Sequence, residues 1–252
     1  MKVKFLGTGT STGVPEIGCQ CEVCTSNNIK DRRLRASVLI NIGDIRLLID
    51  CGPDFRQQIM NVDFAPINGV LLTHEHYDHV GGIDDLRPFC RFADVDLYGN
   101  SITLNALKQR MPYSFTEHRY PGVPAFTLHE VDAHEMFFIE GIGILPIKVL
   151  HYRLPIFGYR IGNFAYLTDV KTIPAEEYEK LRNLDALVID ALRLEEHLSH
   201  LSLDQALEEV KKIAPRKAYF IHMSHHIGLH EVVQKALPEN VFLAYDGLEI
   251  EV

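Results

Sequence analysis

Gly69-Val70-Leu71-Leu72-Thr73-His74-Glu75-His76-Tyr77-Asp78-His79 joins a short apolar run to a polar segment carrying three imidazoles and an aspartate. The run has the length of a buried strand, so the polar segment falls on the loop where that strand ends. Imidazole is the commonest side-chain metal ligand, and carboxylate accompanies it in catalytic zinc sites. One tetrahedral ion takes three or four donors, and four donors packed into residues 74–79 must point partly apart. The spacing therefore predicts two ions with the cluster shared between them.

Two ions need further donors, and other strand ends offer them. His151 follows the apolar stretch Ile144 to Leu150, Asp169 follows Phe164 to Leu167 in Leu167-Thr168-Asp169, and His222 follows Ala218 to Ile221. Singly, a polar residue at a strand end is an ordinary structural feature. Together these residues complete the donor set that a binuclear site requires.

The rest of the chain reads as one folded domain spanning residues 1–252, with 46% hydrophobic residues and a formal charge of 25 − 34 = −9. That acidic balance excludes gripping nucleic acid by wholesale phosphate neutralisation and points to a small-molecule substrate. No stretch approaches the roughly 18 apolar residues of a membrane helix. Met1-Lys2-Val3-Lys4-Phe5 leads into a strand rather than a signal peptide, so a cytoplasmic protein without a membrane partner is expected. Cys19, Cys21 and Cys24 crowd together, which suits a metal site in a reducing compartment better than a disulfide framework, whereas Cys90 reads as a small buried hydrophobe.

Strands are expected at 3–6, 37–42, 45–49, 69–72, 95–98, 126–131, 137–141, 144–150, 157–161, 164–167, 187–189, 218–221, 241–245 and 248–252, with hairpin turns at Gly43-Asp44 and Gly162-Asn163. Helices are expected at 53–60, at 101–110 with Ser101 as N-cap, at 174–181, and at 202–213, where Ser202 caps and Gln205 follows three residues on. Two β-rich halves, each ending in helices, predict two sheets packed face to face with helices outside: a four-layer αββα sandwich of the α/β class.

His74-Glu75-His76-Tyr77-Asp78-His79, preceded by Leu48-Ile49-Asp50-Cys51-Gly52 and followed by His151, Leu167-Thr168-Asp169 and His222, resembles the metal motifs of the metallo-β-lactamase fold superfamily over the whole chain. The resemblance implies that His74, His76 and His151 hold one ion, that Asp78, His79 and His222 hold the other, and that Asp169 bridges them. It also implies that Asp50 orients a ligating imidazole, a sensible role because the second ring nitrogen of such a ligand needs an acceptor. Mixed imidazole and carboxylate ligation suits zinc and tolerates manganese.

Gly18-Cys19-Gln20-Cys21-Glu22-Val23-Cys24 follows the glycine-rich Gly7–Pro15, to which no phosphate-binding role is assigned. Three thiolates make three quarters of a tetrahedral zinc site, and the fourth ligand is expected from His222-Met223-Ser224-His225-His226, with His225 preferred and His226 its competitor. With Tyr245-Asp246-Gly247 near the carboxyl end, the arrangement resembles the PhnP family of phosphoribosyl cyclic phosphodiesterases; PqqB-type proteins share a similar cysteine cluster. That resemblance implies one structural zinc and a homodimer. It also places His200, in His197-Leu198-Ser199-His200-Leu201-Ser202, where the family has a histidine that protonates the leaving group. His197 reads as a solvated surface residue.

Two divalent ions about 3.5–4 Å apart lower the pKa of a shared water, so that a bridging hydroxide attacks phosphorus. An imidazolium on the far side gives its proton to the departing alkoxide. The expected activity is hydrolysis of a small phosphodiester such as a cyclic ribose phosphate, with His200 and Asp78 as catalytic residues. The alternatives are a nuclease that processes transfer-RNA 3′ ends, or a PqqB-like metal-binding protein without hydrolytic activity.

Overall fold

The computed structural model describes residues 1–116 and 122–252. Val38 to Ile42 and Ile45 to Ile49 turn back on one another through Gly43, whose φ of 59° suits glycine, and pair antiparallel from Val38↔Ile49 to Ile42↔Ile45. They are the centre of a seven-stranded sheet formed by β1 (Lys2–Gly7), β2 (Ser37–Ile42), β3 (Ile45–Ile49), β4 (Gly69–Leu71), β5 (Val95–Gly99), β6 (Phe126–Glu130) and β14 (Glu249–Glu251), in the order β14-β1-β2-β3-β4-β5-β6. The second seven-stranded sheet contains β7 (Phe137–Ile139), β8 (Ile142–His151), β9 (Leu154–Ile161), β10 (Phe164–Leu167), β11 (Ala186–Asp190), β12 (Lys217–Ile221) and β13 (Val241–Leu243), in the order β13-β12-β11-β10-β9-β8-β7. From β3 to β6, and from β10 to β13, neighbouring strands run parallel, so within each run their carboxyl ends share one edge. Ligands in open α/β sheets gather at such edges.

The sheets face each other across a core that includes Phe5, Ile40, Tyr159, Phe164, Tyr166 and Val188. On one outer face Phe55 of α1 (Phe55–Ile59) packs with Leu48, Val70 and Leu97, joined by Leu104 and Leu107 of the helix Ser101–Arg110. On the other, Ala206, Val210 and Ile213 of the helix Leu203–Ile213 cover Leu187, Ile189 and Phe220. The expected four-layer sandwich is the observed one. No helix among the described residues is long and apolar enough to cross a membrane.

Local departures have local causes. Asn100, not Ser101, caps its helix, accepting a hydrogen bond from the Thr103 N–H. The stretch expected to be helical at 174–181 is a 3-10 helix at Ala175–Leu181, and another, Ile83–Arg91, holds Pro88 and buries Ile83, Leu86 and Phe89 at a three-residue spacing. Strand β9 begins at Leu154, earlier than expected, because the Tyr152-Arg153 turn pairs Pro155 with Leu150 despite the proline. The single turn Tyr77–Val80 and the helix His230–Ala236 were not signalled by periodicity.

Gly52 joins β3 to the histidine-rich turn at backbone contact distance. A Cβ there would lie 2.0 Å from the Asp78 carbonyl oxygen, and one at Gly82 would lie 2.0 Å from the Gly52 oxygen. The Cys51 N–H donates to the His79 carbonyl at 2.7 Å, and the Gly82 N–H to the Cys51 carbonyl at 2.9 Å. Gly52→Ala should therefore cost about 3 kcal/mol through overpacking and lower Tm by roughly 6–12 °C. Gly99→Ala, where the nearest atom would be 3.5 Å away, should be nearly neutral. Thermal melts of the two proteins check this; equal melting temperatures would contradict the packing.

Candidate metal centre and active site

Thr73 and His74 extend from the carboxyl end of β4, Asp50 from β3, Asp169 from β10, Asp190 closes β11, and His222 follows β12. Three of these residues take left-handed backbone angles that side chains disfavour: Asp50 (φ 60°), Asp169 (φ 56°) and His222 (φ 60°). Such a turn immediately after an extended strand redirects the side chain into the site. Its cost, of order 1 kcal/mol each, is offset by the packing that fixes it.

Hydrogen bonds behind the imidazoles set which nitrogen faces the site. The Thr73 hydroxyl donates its only proton to Asp50 Oδ2 at 2.8 Å, so it accepts from His74 Nδ1–H at 3.0 Å. His79 Nδ1–H donates to Asp50 Oδ2 at 2.7 Å, and His151 Nδ1–H to the carbonyls of Asp169 and Ser199 at 3.1 and 3.0 Å. Each turns its Nε2 toward the site, where the buried Nε2 of His74 has no hydrogen-bond partner. An orphaned buried nitrogen normally carries a penalty. The carboxylate behind His79 is the one expected to orient a ligand.

Asp169 stands between two donor groups. Its Oδ1 lies 4.0 Å from His74 Nε2 and 3.9 Å from His200 Nε2, while its Oδ2 lies 3.2 Å from His79 Nε2 and 3.4 Å from His222 Nε2. Asp78 Oδ2 approaches His79 Nε2 at 3.1 Å and His222 Nε2 at 3.4 Å. Donor atoms of Asp78, His79, Asp169 and His222 all fall within 4.8 Å of one another, as do those of His151, Asp169 and His200. The His76 ring lies 4.5 Å from that of His74 and 5.1 Å from that of His151. The seven expected donors are neighbours, but the two groups whose donor atoms fall within 4.8 Å take in His200 and leave out His74 and His76.

Their protonation suits cations. Burial opposes ionisation of Asp78 and Asp169, yet the surrounding histidines hold both carboxyls well below the usual range. Burial, helped by His79, pushes His74 well down, and burial lowers His151, so both remain neutral lone-pair donors. Burial would also lower His79, but Asp78, Asp169 and Asp50 raise it far above its ordinary value, so a cation binding there would displace the proton on its Nε2. That much negative charge beside neutral imidazoles fits divalent ions in chemistry and in donor number.

His200 is buried with its ring stacked 5.0 Å from His222 and meeting that of His151 edge-on at 4.7 Å. Its Nδ1 faces Asp190 Oδ2 at 3.4 Å, and although burial works against protonation, Asp190 and Asp169 raise the imidazole overall. Asp190 was missed in the sequence, although Ala186 to Ile189 followed by aspartate is the same strand-end pattern that marked Asp169. His197, expected as a solvated surface residue, is partly exposed, with its ring 5.2 Å from that of His200 and its Nδ1 3.3 Å from the Ser199 N–H.

A second cluster joins the amino-terminal loop to the residues after β12. The Met223 N–H donates to the Thr8 carbonyl and the Thr10 N–H to the Met223 carbonyl, at 3.0 and 3.1 Å. This clip sets Cys19, Cys21 and Cys24 beside His225, all four donors within 4.8 Å, with Cys24 Sγ 3.1 Å from His225 Nδ1. His226 instead meets the other side of the His225 ring, Nε2 to Nε2 at 2.8 Å. Burial pushes the Cys24 thiol up to about 12, while the Cys24 N–H donating to its sulfur lowers Cys21. A bound cation would supply the drive for Cys24 to coordinate as thiolate. Asp246, in the carboxyl-terminal motif, accepts from the Thr8 hydroxyl and the Leu34 N–H at 2.7 and 2.6 Å and so supports this loop.

Residues 45–223 match the beta-lactamase superfamily domain. Over 99% of its length the chain is 44% identical to an octanoyltransferase of Porphyromonas gingivalis, of which it covers 51%; it therefore spans about half of that relative. Among solved structures it is similar to a diphosphatase from the PhnP family, with a TM-score of 0.92 and 40% identity, covering 99% of this chain and 96% of that one. It also shares its fold with zinc-bound PqqB from Methylobacterium extorquens, with a TM-score of 0.81 and 20% identity over 100% of both chains.

Cys24→Ser should release one metal ion per chain and lower Tm by more than about 5 °C, because a closed metal site contributes folding free energy directly. The remaining ions should stay. Elemental analysis with thermal melts checks this, and a variant that kept its full metal content and melting temperature while losing activity would move the cluster into the active site.

Proposed function

The chain belongs to the PhnP family of the metallo-β-lactamase superfamily, a hydrolase fold, and from that premise we propose that it cleaves small phosphodiesters with the help of two divalent ions. One observation carries the reading: the Asp169 carboxylate turns one oxygen toward His74 and His200 and the other toward His79 and His222. A carboxylate flanked in this way is placed to share two cations. In the proposed assignment His74, His76 and His151 hold one ion, Asp78, His79 and His222 the other, and Cys19, Cys21, Cys24 and His225 hold a structural zinc. The active-site ions, when bound, supply an activated water at neutral pH and neutralise the phosphoryl oxygens.

The chain's own groups do the rest. Thr73 and Asp50 lock the rings of His74 and His79, and the carbonyls of Asp169 and Ser199 lock that of His151, so the donors need no reorganisation. Asp78 counts among the catalytic residues because its carboxylate closes the site against His79 and His222. His200 lies beside the cluster with Asp190 behind it, an arrangement that favours an imidazolium able to protonate a departing alkoxide.

A second reading, hydrolysis of a diphosphate linkage, draws support from the PhnP-family relative described as a diphosphatase. Its leaving group is a phosphate, a weaker base than an alkoxide, and asks less of a general acid.

His200→Ala should slow an alkyl or cyclic ribose phosphodiester by about 10²–10⁴ and bis(p-nitrophenyl) phosphate far less, because p-nitrophenolate leaves almost unaided. Metal content should be unchanged. His76→Ala should lower metal content and slow both substrates together. Steady-state kinetics on the two diesters and a diphosphate ester, with metal analysis, decide between the readings; equal losses on both diesters with metals retained would refute the acid role of His200, and loss of an ion would make it a ligand.

A further inference from the structure

Ser199 organises three histidines at once. Its carbonyl accepts from His151 Nδ1–H at 3.0 Å, its N–H and hydroxyl lie 3.3 and 3.2 Å from His197 Nδ1, and His200 is the next residue. A backbone N–H can only donate, so His197 Nδ1 is an acceptor and the ring's hydrogen sits on Nε2. This ring is therefore a neutral, pre-oriented N–H donor. It lies 5.2 Å from His200 and, unlike His200, is only half-buried, so it stands one step outward from the chemistry.

The surroundings favour an anion. The Lys171 ammonium donates to the His200 carbonyl at 3.2 Å and to Gln205 Oε1 at 3.0 Å. The Arg193 guanidinium donates to the carbonyls of Glu195 and Glu196 at 3.3 and 2.8 Å, fixing the turn that carries His197. The helix Leu203–Ile213 begins just beyond, its amino end adding positive potential. Burial, with His200, Arg193 and Lys171, lowers the His197 imidazole, in keeping with a ring that stays neutral.

We infer that His197 is a substrate-positioning residue: its Nε2–H donates to an oxygen of the bound phosphate ester on the side where His200 faces the leaving group. The inference rests on the phosphoesterase reading for its substrate class, but not on the identity of the ester. A donor that holds ground state and transition state alike changes KM rather than kcat. His197→Ala in the metal-loaded protein should therefore raise KM for bis(p-nitrophenyl) phosphate roughly tenfold, the worth of about one hydrogen bond to a charged group, and leave kcat within about twofold. His197→Gln, whose amide can accept from Ser199 and donate outward, should recover most of the loss.

Two readouts are independent of turnover. Titration of inorganic phosphate into the metal-loaded proteins should show binding weakened in His197→Ala and restored in His197→Gln, and nitrogen NMR should find His197 protonated on Nε2 alone. If the wild type hydrolyses no phosphodiester, the functional reading fails while the phosphate titration still decides the role of His197. Unchanged KM and phosphate affinity in His197→Ala, no phosphate binding by the wild type, an Nδ1–H tautomer, or a loss in kcat that glutamine does not rescue would each overturn the inference.

Discussion

Asp50 is fully buried at the end of β3, and its two carboxylate oxygens accept from the Thr73 N–H, the Thr73 hydroxyl and His79 Nδ1–H, all at 2.7–2.8 Å. Burial pushes this carboxyl up, and His79 and Thr73 pull against it. A buried carboxylate is tolerable only with such donors, so the end of β3, the end of β4 and the histidine-rich turn must assemble together or not at all. The chain Asp50, Thr73, His74 then dictates which nitrogen of His74 faces inward, and the same carboxylate does so for His79. The glycine contacts between Gly52, Asp78 and Gly82 place the backbone of that turn closely enough for the hydrogen bonds to form.

The second sheet supplies the complementary half. Phe157 N–H donates to the Thr73 carbonyl at 3.0 Å and the Tyr159 hydroxyl to the Leu72 carbonyl at 2.6 Å, so the sheets are tied beside the cluster as well as through their apolar faces. Asp169, Asp190 and His222 come from the ends of β10, β11 and successive β12, and the parallel pairing of these strands makes them neighbours. His225 lies three residues beyond His222, so whatever fixes the cysteine cluster also fixes the far wall of the site. The amino-terminal loop thereby acts as a buttress for residues more than 200 positions away in sequence, as the contact between Cys24 and His225 shows.

The layers and the candidate donors are legible in the sequence because both leave local marks. Apolar runs of strand length are readable one by one, and a polar residue directly after such a run is readable as a strand-end group, as for His151, Asp169 and His222. Asp190 bears that mark too, directly after the apolar run Ala186 to Ile189. The left-handed angles of Asp50, Asp169 and His222 leave no local signature, since no glycine announces them; they follow from contacts made after the sheets assemble. Ser199 and His197 were illegible for a similar reason. Their roles come from one residue facing three ways, a property of the folded loop and not of its composition. The His225 and His226 alternatives were likewise separated only by which ring faces the thiolates.

The fold alone does not choose a reaction, and the relatives of this chain carry different names; what the chain itself offers is a shared carboxylate between two sets of oriented donors. That claim is tested most directly by anomalous diffraction from crystals of the zinc-loaded protein. The account predicts two peaks about 3.5–4 Å apart on either side of the Asp169 carboxylate, besides the one expected among Cys19, Cys21, Cys24 and His225. A single peak within the histidine and aspartate cluster at saturating zinc, with Asp169 bound through one oxygen only, would contradict it.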